Sequence, residues 1–339
     1  MTTLKDVARL ADVDPSTASR VLRADPRQMV SAETRDRILE AASSLRYRPN
    51  ALARGLRTRR TDTIGLIIPS LDNVGFSEVT HGIQATAAAA GKLVMVVEAD
   101  ALRWTAGEQI EHYARLITDG RLDGLIVAFA TLDDHFVTHL AERNLPLVLV
   151  NRRTAGFHGS VVVDDQLGSM MAVRHLIDAG HRRIGLVGLE AETDTARRRE
   201  QGYRRAMEEA GIAIDEVWVV KAPPNEAGGR EAIARLLTTS TALRPTAIFA
   251  ASLLGAVGVL AGIREAGLAV PGDISLIAFN DHPIAAHLCP PLTTIRMPNH
   301  RMGSEAVRML LDAVDGKPAY DLMIDDKPEI VIRMSTAGI

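Results

Sequence analysis

The sequence predicts two kinds of fold on one chain. An N-terminal all-α head, carrying a helix-turn-helix and a hinge helix, is followed by an α/β body of two doubly wound parallel-sheet lobes. Three observations predict this. Residues 1–60 hold 13 Lys and Arg against 7 Asp and Glu, net +6, whereas the remainder holds 26 against 35, net −9. Apolar residues recur at helical spacing through that basic head. From Thr61 onward, short continuous apolar runs alternate with helical stretches, as parallel strands covered on both faces require. With 339 residues, 47% of them hydrophobic, the chain is long enough for two or three domains with a sizeable core.

The first helix opens at Thr3-Leu4-Lys5-Asp6, which has the form of a capping box. Leu4, Val7, Ala8 and Ala11 then form a narrow apolar stripe. Asp12-Val13 breaks the helix, Asp14 is a good N-cap for a second one, and Pro15 is a good first helical residue. Ala18, Val21 and Leu22 face inward, leaving Ser16, Thr17, Ser19 and Arg20 on the other faces. A major groove requires that mixture, because arginine can bind guanine O6 and N7 together while hydroxyls reach phosphates or base edges. A third helix starts at Ser31 and carries Ile38, Leu39, Ala42 and Leu45. A basic head on an acidic body suits a nucleic-acid-binding module attached to a part that need not touch DNA.

The hinge follows. In Arg46-Tyr47-Arg48-Pro49-Asn50-Ala51-Leu52-Ala53-Arg54-Gly55-Leu56-Arg57, Pro49 can open a helix that Ala51 to Leu56 continue. About two turns are too few to be stable alone in water, and Gly55 weakens them by roughly 1 kcal/mol relative to Ala. Such a segment suits folding on contact with DNA and a second copy.

The string TLKDVARLADVDPSTASRVL closely resembles the opening of the LacI/GalR family of transcriptional regulators, typically TIKDVAxxAGVSxxTVSRVLN. YRPNALARGLRTRRTDTIGLI resembles the hinge of the same family. The resemblance implies base reading by Pro15, Ser16 and Arg20, and phosphate contacts by Thr17 and Ser19. Since Pro15 has no N–H to donate, Ser16 and Arg20 become the expected carriers of specificity. The resemblance also implies paired hinge helices in the minor groove, with Leu56 wedging a base step and Tyr47, Asn50, Ala53 and Arg54 beside it.

In the body, strands are expected at Thr63–Pro69, Lys92–Glu98, Gly124–Ala128, Pro146–Asn151 and Ser160–Val163. A second series is expected at Arg183–Gly188, Val217–Lys221, Ala247–Ala250 and Ile274–Phe279. Small molecules bind at the carboxyl ends of such strands, so the cleft between lobes is the expected ligand site. DGLIVA, LVLVNRR, VVVDDQLGSMMAVRHLIDAGHRRIGLVG and PLTTIRMP resemble the same family's body. They imply a periplasmic-binding-protein-like effector domain with three crossovers. The expected division is a DNA-binding domain over 1–46, a hinge and linker over 47–60, one lobe over 61–160 plus 292–322, and another over 161–291 plus 323–339. Ser70, Asn73, Phe76, Asn151, Thr195, Arg199, Ser252 and Asn280 are the candidate effector contacts. Arg199 leads them, because the family uses an arginine there for polar or anionic groups. Ser252-Leu253 stands where the family has Asn-Asp, Met297 where it has Gln, and Pro224 where an aromatic is common. These departures remove groups suited to sugar hydroxyls, so a ligand other than a simple hexose is expected.

The expected partners are double-stranded operator DNA, a small-molecule effector and a second copy of the chain. A homodimer is expected because no heptad tail follows the last strand, and two-fold symmetry calls for a near-palindromic site. No cofactor, metal site, phosphate loop or catalytic constellation is expected. A cytoplasmic protein is expected, since no apolar run approaches a membrane span and the start lacks an export signal. Asp164 and Asp165 read as solvated strand-end residues, His181 as part of a turn, and Cys289 as a small, partly buried loop residue. Between a repressor, a solute receptor using the same cleft, and an enzyme, the basic head favours the first.

Overall fold

The computed structural model describes residues 2–22, 30–47, 60–99, 106–130, 132, 134–190, 192–238 and 244–339, with only the backbone at 106, 107, 109 and 110. It divides into two compact units, Met1–Thr61 and Asp62–Ile339.

In the smaller unit, helix α1 spans Leu4–Leu10, α2 Pro15–Val21 and α3 Ala32–Ser44. Each begins at a side-chain cap. The Asp6 N–H donates to Thr3 Oγ1 at 3.4 Å while the Thr3 N–H donates to Asp6 Oδ2 at 2.9 Å, completing the capping box. Asp14 Oδ1 accepts the Ser16 N–H at 2.7 Å, and Ser31 Oγ accepts the Thr34 N–H at 3.2 Å. These bonds satisfy donors that have no partner inside a helix. Val7, Ala8, Ala11, Ala18, Val21, Ile38, Ala41 and Ala42 form the core. Leu39 does not belong to it. It is 47% exposed, because one step of about 100° from Ile38 turns it away from the face shared with Ala41 and Ala42. Tyr47 packs against this core. The hinge residues Asn50, Ala53, Arg54 and Leu56 lie outside the described residues.

In the larger unit, the described residues form two sheets. The first contains β1 Thr63–Ile68, β2 Leu93–Glu98, β3 Gly124–Val127, β4 Leu147–Val150, β5 Ser160–Val162 and β11 Leu322–Met323, in the order β11-β5-β4-β3-β1-β2. The second contains β6 Ile184–Leu189, β7 Val219–Ala222, β8 Ala247–Ala250, β9 Ser275–Phe279, β10 Thr293–Arg296 and β12 Glu329–Val331, in the order β12-β10-β9-β8-β6-β7. Every pairing is parallel except β10 with β12. The order of each sheet reverses beside its first strand, as in a doubly wound fold. The helices are α4 Ser77–Ala89, α5 Ala106–Thr118, α6 His135–Glu142, α7 Asp165–Asp178, α8 Asp194–Glu209, α9 Glu226–Leu237, α10 Leu253–Glu265 and α11 Asn299–Val314. Among the described residues, no helix is long and apolar enough to cross a membrane.

Three departures from expectation concern chain path. The segment 293–296, expected in the first lobe, pairs in parallel with β9 (Thr293 with Ile277) and so belongs to the second sheet. The chain returns to the first lobe with α11, which packs on α4. A Cβ on Gly82 would lie 2.0 Å from the His300 carbonyl oxygen, and one on Gly303 2.2 Å from that of Val79, so this helix crossing requires glycine on both sides. The crossings expected at 161 and 323 fall slightly later, since Val162 and Met323 still pair in the first sheet. The strand expected from Val217 begins at Val219, because Asp215 caps a 3-10 turn over Glu216–Trp218. One apolar cluster links the lobes, running from Ile64 and Val148 through Met170 to Ile184, Phe249 and Phe279.

The C-terminal segment seals the second lobe. Ser335 Oγ donates to the Leu276 carbonyl at 2.6 Å and accepts the Thr293 N–H at 2.8 Å. His181 lies between the turn that ends α7 and the start of β6, as expected, and is buried there. It is 3% exposed, with Nδ1 3.0 Å from Thr246 Oγ1 and Nε2 3.0 Å from the Ala337 carbonyl. Burial lowers its pKa below the ordinary 6.5, as it does for His175. The unfolded chain then binds more protons than the folded one as pH falls through about 6.5, so stability present above that pH is lost below it. Melting temperature measured from pH 8 to pH 5 should therefore fall in the acid half of the range. His181→Gln should flatten the profile, and a profile unchanged by that substitution would remove the assignment.

Candidate nucleic-acid interface and inter-lobe site

On α2, Pro15, Ser16 and Arg20 are exposed and Thr17 and Ser19 half-buried, while Ala18 and Val21 are buried. At 3.6 residues per turn, Pro15, Ser19, Ser16 and Arg20 fall within one arc, with Thr17 at its edge and the apolar residues opposite. The helix thus presents hydroxyls and a guanidinium on a surface held rigid from behind. Arg20 lies in the last turn, where the helix dipole favours a cation. The Ser16 hydroxyl and N–H hold the Asp14 carboxyl below the usual carboxylate range, assisted by the charge of Arg20. The cap therefore stays ionised at neutral pH.

In the larger unit, two groups of candidate residues meet across the lobes. The first joins Asn151 to Thr195. Asn151 follows β4 with φ 60°, and its carbonyl accepts the Thr195 hydroxyl at 2.9 Å and Arg152 Nη1 at 2.9 Å. Thr195, in the first turn of α8, is 1% exposed. One turn on, Arg199 is 6% exposed. Its Nε donates to Asp165 Oδ1 at 2.8 Å, its Nη1 donates to the Ala251 carbonyl at 2.7 Å, and its guanidinium carbon lies 3.9 Å from the centroid of the Phe279 ring. The second group joins Asn73 to Asn280 around Gly75. Asn73 Oδ1 accepts the Gly75 N–H at 3.0 Å, and a Cβ on Gly75 would lie 3.1 Å from Asn280 Nδ2. Asn280 follows β9 with φ 71°, and its Oδ1 accepts from Asn299 Nδ2 at 3.4 Å.

The remaining candidates serve local structure. Ser70 Oγ accepts the Asp72 N–H at 3.2 Å, closing a turn. Phe76 is 6% exposed within the apolar cluster that links the lobes. Ser252 caps α10 by accepting the Gly255 N–H at 3.1 Å. Leu253 and Met297 are buried in apolar clusters, and Pro224 is exposed. Cys289 is exposed rather than partly buried.

Sequence reasoning missed four charged residues here. Asp165, taken for a solvated strand-end residue, is fully buried, because Arg198 and Arg199 arrive from α8 to cover it. Arg198 Nε donates to Asp194 Oδ2 at 2.9 Å and its Nη1 donates to the Val163 carbonyl at 2.5 Å. The same Nη1 stands 2.6 Å from Asp165 Oδ2 without hydrogen-bond alignment. Arg152 reaches from the first lobe to Thr195 Oγ1. Two arginines one residue after the apolar run LVLV were the one available signal. Burial, followed by the charge of Arg199, brings the Arg152 pKa down to about 10. Among the described residues, no three His, Cys, Asp or Glu side chains gather as a metal would need.

Residues 3–50 match the family model described as bacterial regulatory proteins, lacI family, and residues 173–336 match a periplasmic binding protein-like domain. The HTH-type transcriptional repressor PurR of Aliivibrio fischeri (strain MJ11) is 32% identical over 340 residues, covering 99% of this chain and 98% of the relative. The lac repressor dimer bound to operator and the anti-inducer ONPF is similar in structure, with a TM-score of 0.83, 26% identity and 99% coverage of both chains. The regulator CelR in complex with cellobiose has a TM-score of 0.74 at 28% identity, covering 99% of this chain and all of its own.

Proposed function

This chain belongs to the lacI family of bacterial regulatory proteins, and on that premise we propose that it represses transcription as a homodimer on a near-palindromic operator, under the control of a small molecule bound between its lobes. It is a DNA-binding regulator and not an enzyme, as its repressor relatives are. The observation that carries the reading is the α2 surface, where Ser16 and Arg20 stand exposed above a fully apolar support. Ser16 and Arg20 read base edges, and Thr17 and Ser19 hold phosphates. Pro15 contributes apolar contact. Leu56 serves as the minor-groove wedge, and Tyr47, Asn50, Ala53 and Arg54 contribute contacts to the same groove.

The similar structure of a dimer on operator supports two copies on one site. The inter-lobe contact of Asn151 with Thr195 and the close approach of Asn280 to Gly75 support a ligand seat there, because a molecule between these pairs changes the angle between the lobes. The apolar burial of Leu253 and Met297 supports an effector other than a simple hexose. The test is fluorescence anisotropy with DNA from upstream of the chain's own gene. Sequence-selective binding that weakens steeply with salt is expected. Equal binding to a scrambled duplex would overturn the reading.

A further inference from the structure

The charges at the lobe junction do not cancel. Asp165 is shared by Arg199 and Arg198, and Asp194 is taken by Arg198, with the exposed Arg197 3.6 Å away. Arg152 is left over. Its Nη1 reaches only neutral oxygens, those of Asn151 and Thr195, and it forms no ion pair with a carboxylate among the described residues. Its Nε is sealed from solvent without a hydrogen-bond partner, and so is Nη2 of Arg198, whose side chain is 9% exposed. Four arginines, of which Arg197 is exposed, therefore face two aspartates. Arg152 also sits against the first turn of α8, where the helix dipole is positive and a cation is disfavoured. Arg152 is half-buried, and a network serving only structure would close on itself, because a charge held partly away from water without a counter-charge is costly. Here the second-lobe arginines Arg198 and Arg199 have carboxylate partners, and the first-lobe Arg152 has none among the described residues.

We infer that Arg152 anchors an anionic effector, a small molecule bearing a carboxylate or a phosphate, which supplies the counter-charge missing between the lobes. This rests on the reading that the effector binds between the lobes, and adds its chemical class. Arg152 belongs to the first lobe, whereas Arg198 and Arg199 belong to the second. An anion between them replaces repulsion across the junction with attraction and favours the closed arrangement. Charge-assisted bonds from guanidinium groups suit both oxyanions.

The test uses the full-length chain, by calorimetric titration and thermal shift. The probes are glycerol, glycerate and glycerol phosphate, then glucose, gluconate and a glucose phosphate, then inorganic phosphate alone. At least one anion should bind and raise the melting temperature while its neutral counterpart does not. The carboxylate and phosphate arms tell the two chemistries apart, and phosphate alone reports a bare-anion site. Arg152→Gln should weaken that anion roughly tenfold or more. It should also leave the ligand-free melting temperature unchanged or higher, because it removes an uncompensated charge. A structural role would instead lower that temperature on substitution, and such a fall would overturn the proposal. So would equal binding of neutral and charged partners, or a panel in which no anion stabilises the parent more than Arg152→Gln. Anisotropy with the operator keeps the two readings apart. A neutral ligand that alters DNA affinity would sink the anion proposal alone. An Arg152-dependent anion that leaves DNA affinity unchanged would sink effector control alone.

Discussion

Arg199→Ala should lower the melting temperature of the larger unit by about 6–12 °C. Arg199 is enclosed by an ion pair with Asp165, a hydrogen bond to the Ala251 carbonyl and the face of Phe279. Alanine removes all three and leaves a buried carboxylate short of one partner. Breaking a buried pair costs about 3–5 kcal/mol. Arg198 still stands beside Asp165, so the lower end applies. At roughly 2–4 °C per kcal/mol for a unit of this size, about 3 kcal/mol gives the range stated. Arg199→Lys should recover little, because one ammonium cannot reproduce a planar fork bonded to a carboxylate and a carbonyl over a ring. Calorimetry on the purified chain would decide, and a shift within about 2 °C would show that Asp165 does not depend on Arg199. Loss of effector response in this variant would follow from the damaged junction as readily as from a missing ligand contact. Arg152, which closes no ion pair, is the cleaner probe of binding.

The contrast between these arginines shows what was legible in the sequence. Helix starts were legible because each is set by residues within one turn, as Thr3 with Asp6 and Asp14 with Ser16 show. Body strands were legible because strands buried on both faces need continuous apolar runs, as in LVLV over β4. The sheet to which Thr293–Arg296 belongs was not legible. That depends on pairing with β9 and on where α11 can pack, and neither leaves a local mark. In the inter-lobe site, strand ends pointed to Asn151 and Asn280, and both lie at contacts between the lobes. The same reasoning misplaced Asp165, since an acidic pair after a strand looks solvated until two arginines some 34 residues further on are folded over it. Phe76 is 6% exposed in the apolar cluster that links the lobes. An aromatic near a strand end can face a ligand or the core, and only packing decides.

Arg20→Ala should cost each head about 1–3 kcal/mol of sequence-specific affinity, roughly 5–150-fold, concentrated at one base pair of each half-site. Arg20 is exposed on the α2 arc opposite Ala18 and Val21, so its removal leaves the apolar support intact and head stability within about 0.5 kcal/mol. With two heads on one operator, the penalty is counted twice, so the loss in a dimer exceeds that of any single phosphate contact. A phosphate-contacting residue would behave differently, since removing it weakens all duplexes alike and makes the salt slope shallower by about one. Affinities should therefore be measured at one salt concentration, on a set of duplexes varied one base pair at a time. The expected result is a flattened preference at a single symmetric position with the others unchanged. A uniform loss over the whole set would make Arg20 a backbone contact and leave Ser16, at the same exposed face, as the principal reader of sequence.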